Sequence, residues 1–201
     1  HDGQGHVGQQ WVCLSGGGGS RGAGRVGEGG VGATGKTLPG GGYFPREPVG
    51  EGPAETAGLL DAQPTIGSTP AERFLALSIA GARHRLYITN SYFVPGENFL
   101  QLLLAAAHRG VDVRVITVSG KTDVKTTWYA GRTYYEKLIE GGVKVYEYEP
   151  TMIHAKTMVV DGIWSYIGSM NFANRSLSFN TTSLLVSLDR HRGAQMDSIS
   201  M

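Results

Sequence analysis

An α/β fold, with a mixed, mostly parallel sheet flanked by helices, is predicted by three features of the chain. Apolar, β-branched runs alternate with runs of helical length between residues 70 and 150, glycines punctuate the ends of the helical runs, and an Asp-Gly pair joins two further strand-like runs after residue 150. Strands that alternate with helices of this length need crossover connections, which are right-handed and lay helices on the faces of the sheet.

In "GSTPAERFLALSIAGARHR", Thr69 is a candidate cap, Pro70 suits the first helical position and Glu72 completes a capping box. Phe74, Leu77, Ala80 and Gly81 follow at helical spacing. "RLYITNSYFV" is aromatic and β-branched enough for a strand, and "ENFLQLLLAAAHR" reads as a helix stopped at Gly110. "VDVRVITV" is strand again. "DVKTTWYAGRTYYEKLIE" reads as one helix ended by Gly141 and Gly142, followed by the strand "VKVYEY".

The remainder bounds the domain. Of 31 glycines, 20 lie within the first 60 residues, so residues 1–58 are expected to be a flexible Gly-rich segment with little to bury, and residues 59–201 a single domain. The end at "AQMDSISM" suggests truncation at the C-terminus. One cysteine, Cys13, excludes an internal disulfide, and no Cys/His spacing supports a zinc site, so neither a metal nor another cofactor is expected. A net charge of +1 gives no field for nucleic acid, which is an unexpected partner. The apolar run "LLLAAA" is far short of the ~20 residues of a membrane span.

The chemistry concentrates in "MIHAKTMVVDGIWSYIGSMN", Met152 to Asn171. Asp161-Gly162 is a two-residue hairpin signal. With Val160 opposite Ile163, Ser169 faces His154 and Ile167 faces Lys156, and the period of two sets His154 and Lys156 on one face. His154, Lys156 and Ser169 are thereby expected to converge, with Asn171 turning into the same space. A neutral imidazole is a nucleophile toward phosphorus near pH 7, a lysine supplies charge for phosphoryl oxygens, and Ser and Asn supply neutral donors as charge builds. A surface hairpin that merely carries polar residues explains each of them singly, and Asp161 is first of all what a tight turn wants.

His154-x-Lys156, Asp161 and Gly168-Ser169-x-Asn171 at this spacing resemble the HKD signature of the phospholipase D superfamily, and "YITNSYFVP", "AAAHRGVDVRVIT" and "NRSLSFN" resemble the second half of bacterial cardiolipin synthase-like proteins. The resemblance implies a metal-independent phosphodiester transfer or hydrolysis through a phosphohistidine. His154 would be the nucleophile or general acid, Lys156, Ser169 and Asn171 would bind phosphate, and Asp161 and Gly168 would be structural parts of the motif. It implies a phosphatidylglycerol-like phospholipid substrate and, in the full-length protein, association with the bacterial inner membrane. Family members place two such motifs across one active site. This chain carries one, since neither His84 nor His108 lies in a second copy, so the other motif is expected from a missing N-terminal half or a homodimer partner. The family's glutamate two residues after the asparagine of "RSLSFN" is Thr182 here. A dimeric single-motif nuclease and an inactive phosphate- or phospholipid-binding fragment are the alternatives.

Three further features bear on function. "GVGATGKT", Gly30 to Thr37, has P-loop spacing but no strand before it or helix after it, so no nucleotide site is expected. Trp128, Tyr129, Tyr134 and Tyr135 suit core packing better than a substrate channel. Arg175 is placed either at the pocket rim or in a solvated loop.

Overall fold

The structure, a computed structural model, describes residues 56–62, 70–172 and 182–188. Thr69, Arg175 and the Gly30–Thr37 run lie outside them. The chain order is β1 (Thr56–Ala62), α1 (Pro70–Gly81), β2 (Arg85–Asn90), α2 (Gly96–His108), β3 (Asp112–Val118), α3 (Lys125–Arg132), α4 (Tyr135–Glu140), β4 (Lys144–Tyr148), β5 (Lys156–Val160), β6 (Trp164–Gly168) and β7 (Thr182–Leu188). The seven strands form one sheet in the order β1-β7-β6-β5-β2-β3-β4.

The sheet is mixed and helix-flanked as the sequence predicts, but it is not mostly parallel. Only β2–β3 and β3–β4 run parallel, across the two helical crossovers. The pairs β1–β7, β7–β6, β6–β5 and β5–β2 are antiparallel. The sheet also reaches back to Thr56, so its first strand begins inside the segment assigned by composition to the linker.

The core lies between one face of the sheet and the helices. Leu86, Ile88, Val113, Val115, Met158, Val160 and Tyr166 alternate inward along their strands and meet Leu75 and Ile79 of α1, Leu100 and Leu103 of α2 and Leu138 of α4. The glycine stops work through left-handed backbone: Gly110 and Gly142, both at φ +88°, follow α2 and α4 at positions where a side chain is strained.

The single helix expected over "DVKTTWYAGRTYYEKLIE" is broken. α3 ends at Arg132, where the Thr133 hydroxyl caps the Ala130 carbonyl at 2.7 Å, and α4 restarts at Tyr135. Its aromatics therefore diverge. Trp128 donates to Glu147 of β4 at 2.9 Å, Tyr134 packs against the core and Tyr129 is exposed.

The hairpin turn also departs from the simplest pairing. Asp161 and Gly162 have φ of +54° and +66°, and the Ile163 amide donates to the Val160 carbonyl at 3.1 Å, as in a two-residue turn. The ladder then resumes at Val160↔Trp164, continuing through Thr157↔Ile167, so Ile163 is an extra residue and acts as a bulge. The expected facing pairs His154–Ser169 and Lys156–Ile167 are shifted by one. Thr157, not Lys156, faces Ile167.

Candidate active site

β5 begins with Lys156, whose Cα partner on β2 is Asn90, the last residue of that strand. The carboxyl ends of β2 and β3, the start of β5 and the end of β6 thus share one edge of the sheet. In open α/β sheets this is where ligands bind, outside the carboxyl ends of the parallel strands. His154 lies two residues before β5 and is exposed, so its ring is free of the ladder.

Lys156 has the least comfortable environment of the group. It is 4% exposed, yet among the described residues its ammonium donates to neutral oxygens, the His154 carbonyl at 3.1 Å and Ser91 Oγ at 3.5 Å. The Tyr92 ring centroid stands 5.7 Å from Nζ, within range of a cation–π interaction. No ion pair to Lys156 occurs among the described residues. Burial pulls its pKa down to about 8, with the Asp123 charge opposing that shift. Burial also lowers the His154 pKa, helped by the Lys156 charge and opposed by Asp123. The imidazole is accordingly held toward the neutral form that carries a free lone pair.

Asn171 comes to this edge through Asn90 rather than through the hairpin register. The Asn90 side chain is fully buried; its amide donates to the Met170 carbonyl at 3.1 Å, and its Oδ1 accepts the Phe172 amide at 3.2 Å and the Tyr92 amide at 3.3 Å. One side chain thus clasps both neighbours of Asn171 to the strand end that pairs with Lys156. Phe93 and Phe99 pack on the Phe172 ring at 5.7 and 5.2 Å and seat the same turn in the core. Asn171 is half-buried, and its Oδ1 is buried with no hydrogen-bond partner, a polar atom left for something outside the described protein atoms. Ser169 is exposed, one residue beyond β6. By extension of the β5–β6 ladder it stands across from Ala155 rather than His154.

Replacing Asn90 by alanine is expected to cost about 3 kcal/mol, because two amides and a carbonyl lose their buried partner. It should also weaken phosphate binding out of proportion to the remaining folded fraction. Urea unfolding followed by a phosphate titration of the folded variant checks both.

Asp161 and Gly168 lie at opposite ends of the hairpin. Gly168 closes β6 at the site edge, whereas Asp161 sits past the far end of β5 and accepts the backbone amides of Arg83, His84 and Arg85. The Thr182 backbone opens β7, and its side chain lies outside the described residues.

Besides Asn90, two residues at the site, Tyr92 and Asp123, are not singled out by sequence reasoning. Tyr92 lies edge-on to His154, with ring centroids 5.9 Å apart and planes at 78°. Its hydroxyl donates to Asp123 Oδ1 at 2.7 Å. The available signal was position alone: "NSYFVP" follows β2 and "KTDVK" follows β3, both at the carboxyl ends of parallel strands. Among the described residues no group of three or more His, Cys, Asp or Glu side chains is arranged to hold a metal ion, and no helix is long and apolar enough to cross a membrane.

Comparison with known proteins supplies the family. The chain is 39% identical to cardiolipin synthase 2 of Bacillus anthracis over 121 residues, 59% of this chain and 23% of that protein. It is 32% identical to cardiolipin synthase A of Yersinia pseudotuberculosis over 149 residues, 74% of this chain and 30% of that protein. The chain thus spans less than a third of the length of these relatives. The crystal structure of Nuc, a phospholipase D family member from Salmonella typhimurium, superposes with a TM-score of 0.54 at 20% identity, covering 71% of this chain and 91% of that one, and shares the fold. A family model described as "Cardiolipin synthase, PLD-like domain" matches residues 75–199, and the chain belongs to that family.

Proposed function

We propose that His154, Lys156, Ser169 and Asn171 form one half of a phospholipase D-type active site that transfers or hydrolyses the phosphodiester of a phosphatidylglycerol-like phospholipid. The observation that carries this reading is Lys156. A buried ammonium whose partners among the described residues are neutral is costly, and an arriving phosphate anion offsets the cost. Family membership and the likeness to cardiolipin synthases favour a lipid over other phosphodiesters.

In the first step a His154 ring nitrogen forms a bond to phosphorus as the bond to the departing alkoxide breaks, and an acid supplies that alkoxide with a proton. In the second step the acceptor hydroxyl, from water or an alcohol, loses its proton to a base as its oxygen displaces the imidazole. Lys156 and Asn171, with Ser169 beside them, hold the phosphoryl oxygens through both steps. The acid and base role belongs to a second motif, from a preceding half or a partner copy, with the lipid presented at the inner-membrane surface. Asp161 and Gly168 serve the local fold.

The test is trapping of phosphorus label on the chain by a denaturing quench at alkaline pH, where a phosphorus–nitrogen bond survives, after incubation with labelled phosphatidylglycerol vesicles or a labelled single-stranded oligonucleotide. Label is expected from the vesicles and absent in His154→Asn. Label from the oligonucleotide alone would replace the lipid reading with a nuclease one, and label surviving in His154→Asn would remove His154 from its role.

Thr182→Glu is expected to raise turnover several-fold, because a carboxylate at the position where the family carries glutamate stabilises the developing imidazolium. The rate relative to the unmodified chain at equal dimer concentration checks it.

A further inference from the structure

The β3–α3 loop reaches the site through a side-chain relay that the transfer chemistry described above does not use. Asp123 is exposed in that loop, and Tyr92 follows β2, so a contact between them ties two neighbouring crossover connections together. The Tyr92 hydroxyl donates a hydrogen bond to Asp123 Oδ1 at 2.7 Å, which tethers the far end of the phenol ring. That ring then offers two surfaces. Its plane meets the His154 imidazole at 78°, an edge-to-face contact with centroids 5.9 Å apart, and the Lys156 ammonium lies 5.7 Å from its centroid. A ring tethered at its hydroxyl end cannot swing away from either partner without breaking that bond.

We propose that Tyr92 and Asp123 are a positioning pair, in which Asp123 locks the Tyr92 ring so that the ring orients the His154 imidazole and holds the Lys156 ammonium beside it. The inference rests on the proposed reading of His154 and Lys156 as phosphate-handling groups. Three consequences follow from the geometry. The imidazole of an otherwise exposed histidine is restricted to few rotamers before substrate arrives, which lowers the entropic part of the barrier. The ring face beside the Lys156 ammonium also gives that cation a partner that leaves its N–H donors for a phosphate. Finally, Asp123 contributes negative charge near the imidazole, opposing both the burial and the Lys156 charge that push it toward the neutral form. Among the described residues the charged groups acting on His154 are Lys156 and Asp123, with the Tyr92 ring in contact with the imidazole, and burial and the Asp123 hydrogen bond hold the Tyr92 phenol in its protonated form.

The experiment uses the full 201-residue chain and follows the His154 ring resonances by NMR from pH 5 to 8 in wild type, Tyr92→Phe and Asp123→Asn. Asp123 is exposed and its replacement is isosteric, so the fold survives in at least that variant. Asp123→Asn is expected to move the His154 midpoint to lower pH. Tyr92→Phe is expected to broaden or average the ring resonances, because the hydroxyl lock is gone while the ring remains. Where turnover on phosphatidylglycerol vesicles is measurable, each variant should lose about tenfold in kcat with KM little changed, as misorientation of a reacting group predicts. A His154 titration that is superimposable in all three proteins overturns the positioning role. A shifted titration in a folded chain that takes up no inorganic phosphate leaves the pair intact and removes the phosphate-handling reading of His154 and Lys156 instead, so the two failures are distinct.

Discussion

Lys156→Met is expected to give a protein that is inactive and more stable than the original. The activity loss should be on the order of 10³-fold, the scale on which a pre-positioned charge at a developing oxyanion acts. The gain in stability comes from the same side chain. With Lys156 4% exposed and its pKa drawn from 10.5 down to about 8, keeping the ammonium charged costs on the order of 3 kcal/mol. Methionine fills a similar volume without a charge, and the lost hydrogen bonds to the His154 carbonyl and Ser91 return part of that gain. A net stabilisation of about 2 kcal/mol is left.

The pH dependence carries the sign of the effect. Between pH 8 and 10 the unfolded lysine still holds its proton while the folded one has lost it, so the unfolded state binds more protons and stability rises with pH. Above pH 10 the phenols of buried Tyr166 and half-buried Tyr92 and Tyr135, whose pKa values are raised chiefly by desolvation, oppose that rise, since they ionise more readily on unfolding. Urea midpoints measured from pH 7 to 9.5 should climb in the wild type and stay flat in Lys156→Met. A variant destabilised across that whole range contradicts the picture of an unpaired cation.

Much of the architecture was written in the chain, and what was not has identifiable causes. β2, β3 and β4 and the helices between them were legible because each carries its own period and its own stop, such as Gly110 after α2. β1 was missed because "TAGLLDA" is short, sits against a Gly-rich stretch and draws its strand character from β7, its antiparallel partner 120 residues on. β7 was missed in turn, because "TSLLVSL" alternates only weakly without knowledge of that partner. The hairpin failed by one residue. Asp-Gly announced the turn correctly, but nothing in "DGIW" marks Ile163 as a bulge, and a one-residue slip moves each facing pair. The turn around Asn171 is held by Asn90, a buried hub with no sequence signature, and not by the ladder. Tyr92 and Asp123 belong to segments far apart in sequence, and only the fold brings them to His154.

Asp161→Ala is expected to be the most destabilising single replacement in the motif, at about 3 kcal/mol, while leaving the chemistry of the molecules that remain folded unchanged. Asp161 Oδ1 accepts the amides of His84 at 2.7 Å and Arg85 at 2.9 Å, Oδ2 accepts that of Arg83 at 3.0 Å, and the Asp161 amide donates to the Arg85 carbonyl at 2.9 Å. One residue therefore docks the hairpin turn onto the entry to β2. Alanine leaves three amides without this acceptor, only partly replaced by water, and adds roughly 1 kcal/mol for a left-handed backbone at φ +54°. Asp161→Asn tolerates that backbone and keeps one acceptor, so it should cost about half as much and separate turn geometry from charge. The acid limb reports the charge directly. Burial alone would raise the Asp161 carboxyl, but the three backbone amides outweigh it and hold the pKa below 3.8. Its stabilisation is therefore complete above the ordinary carboxylate range and disappears as pH falls through the lower folded value, a slope that Asp161→Asn should lack. Because Asp161 and His154 flank opposite ends of β5, roughly 20 Å apart along an extended strand, kcat per folded molecule should match wild type at low temperature. A loss of kcat in the fully folded Asn variant would place the Asp161 carboxylate in the chemistry after all.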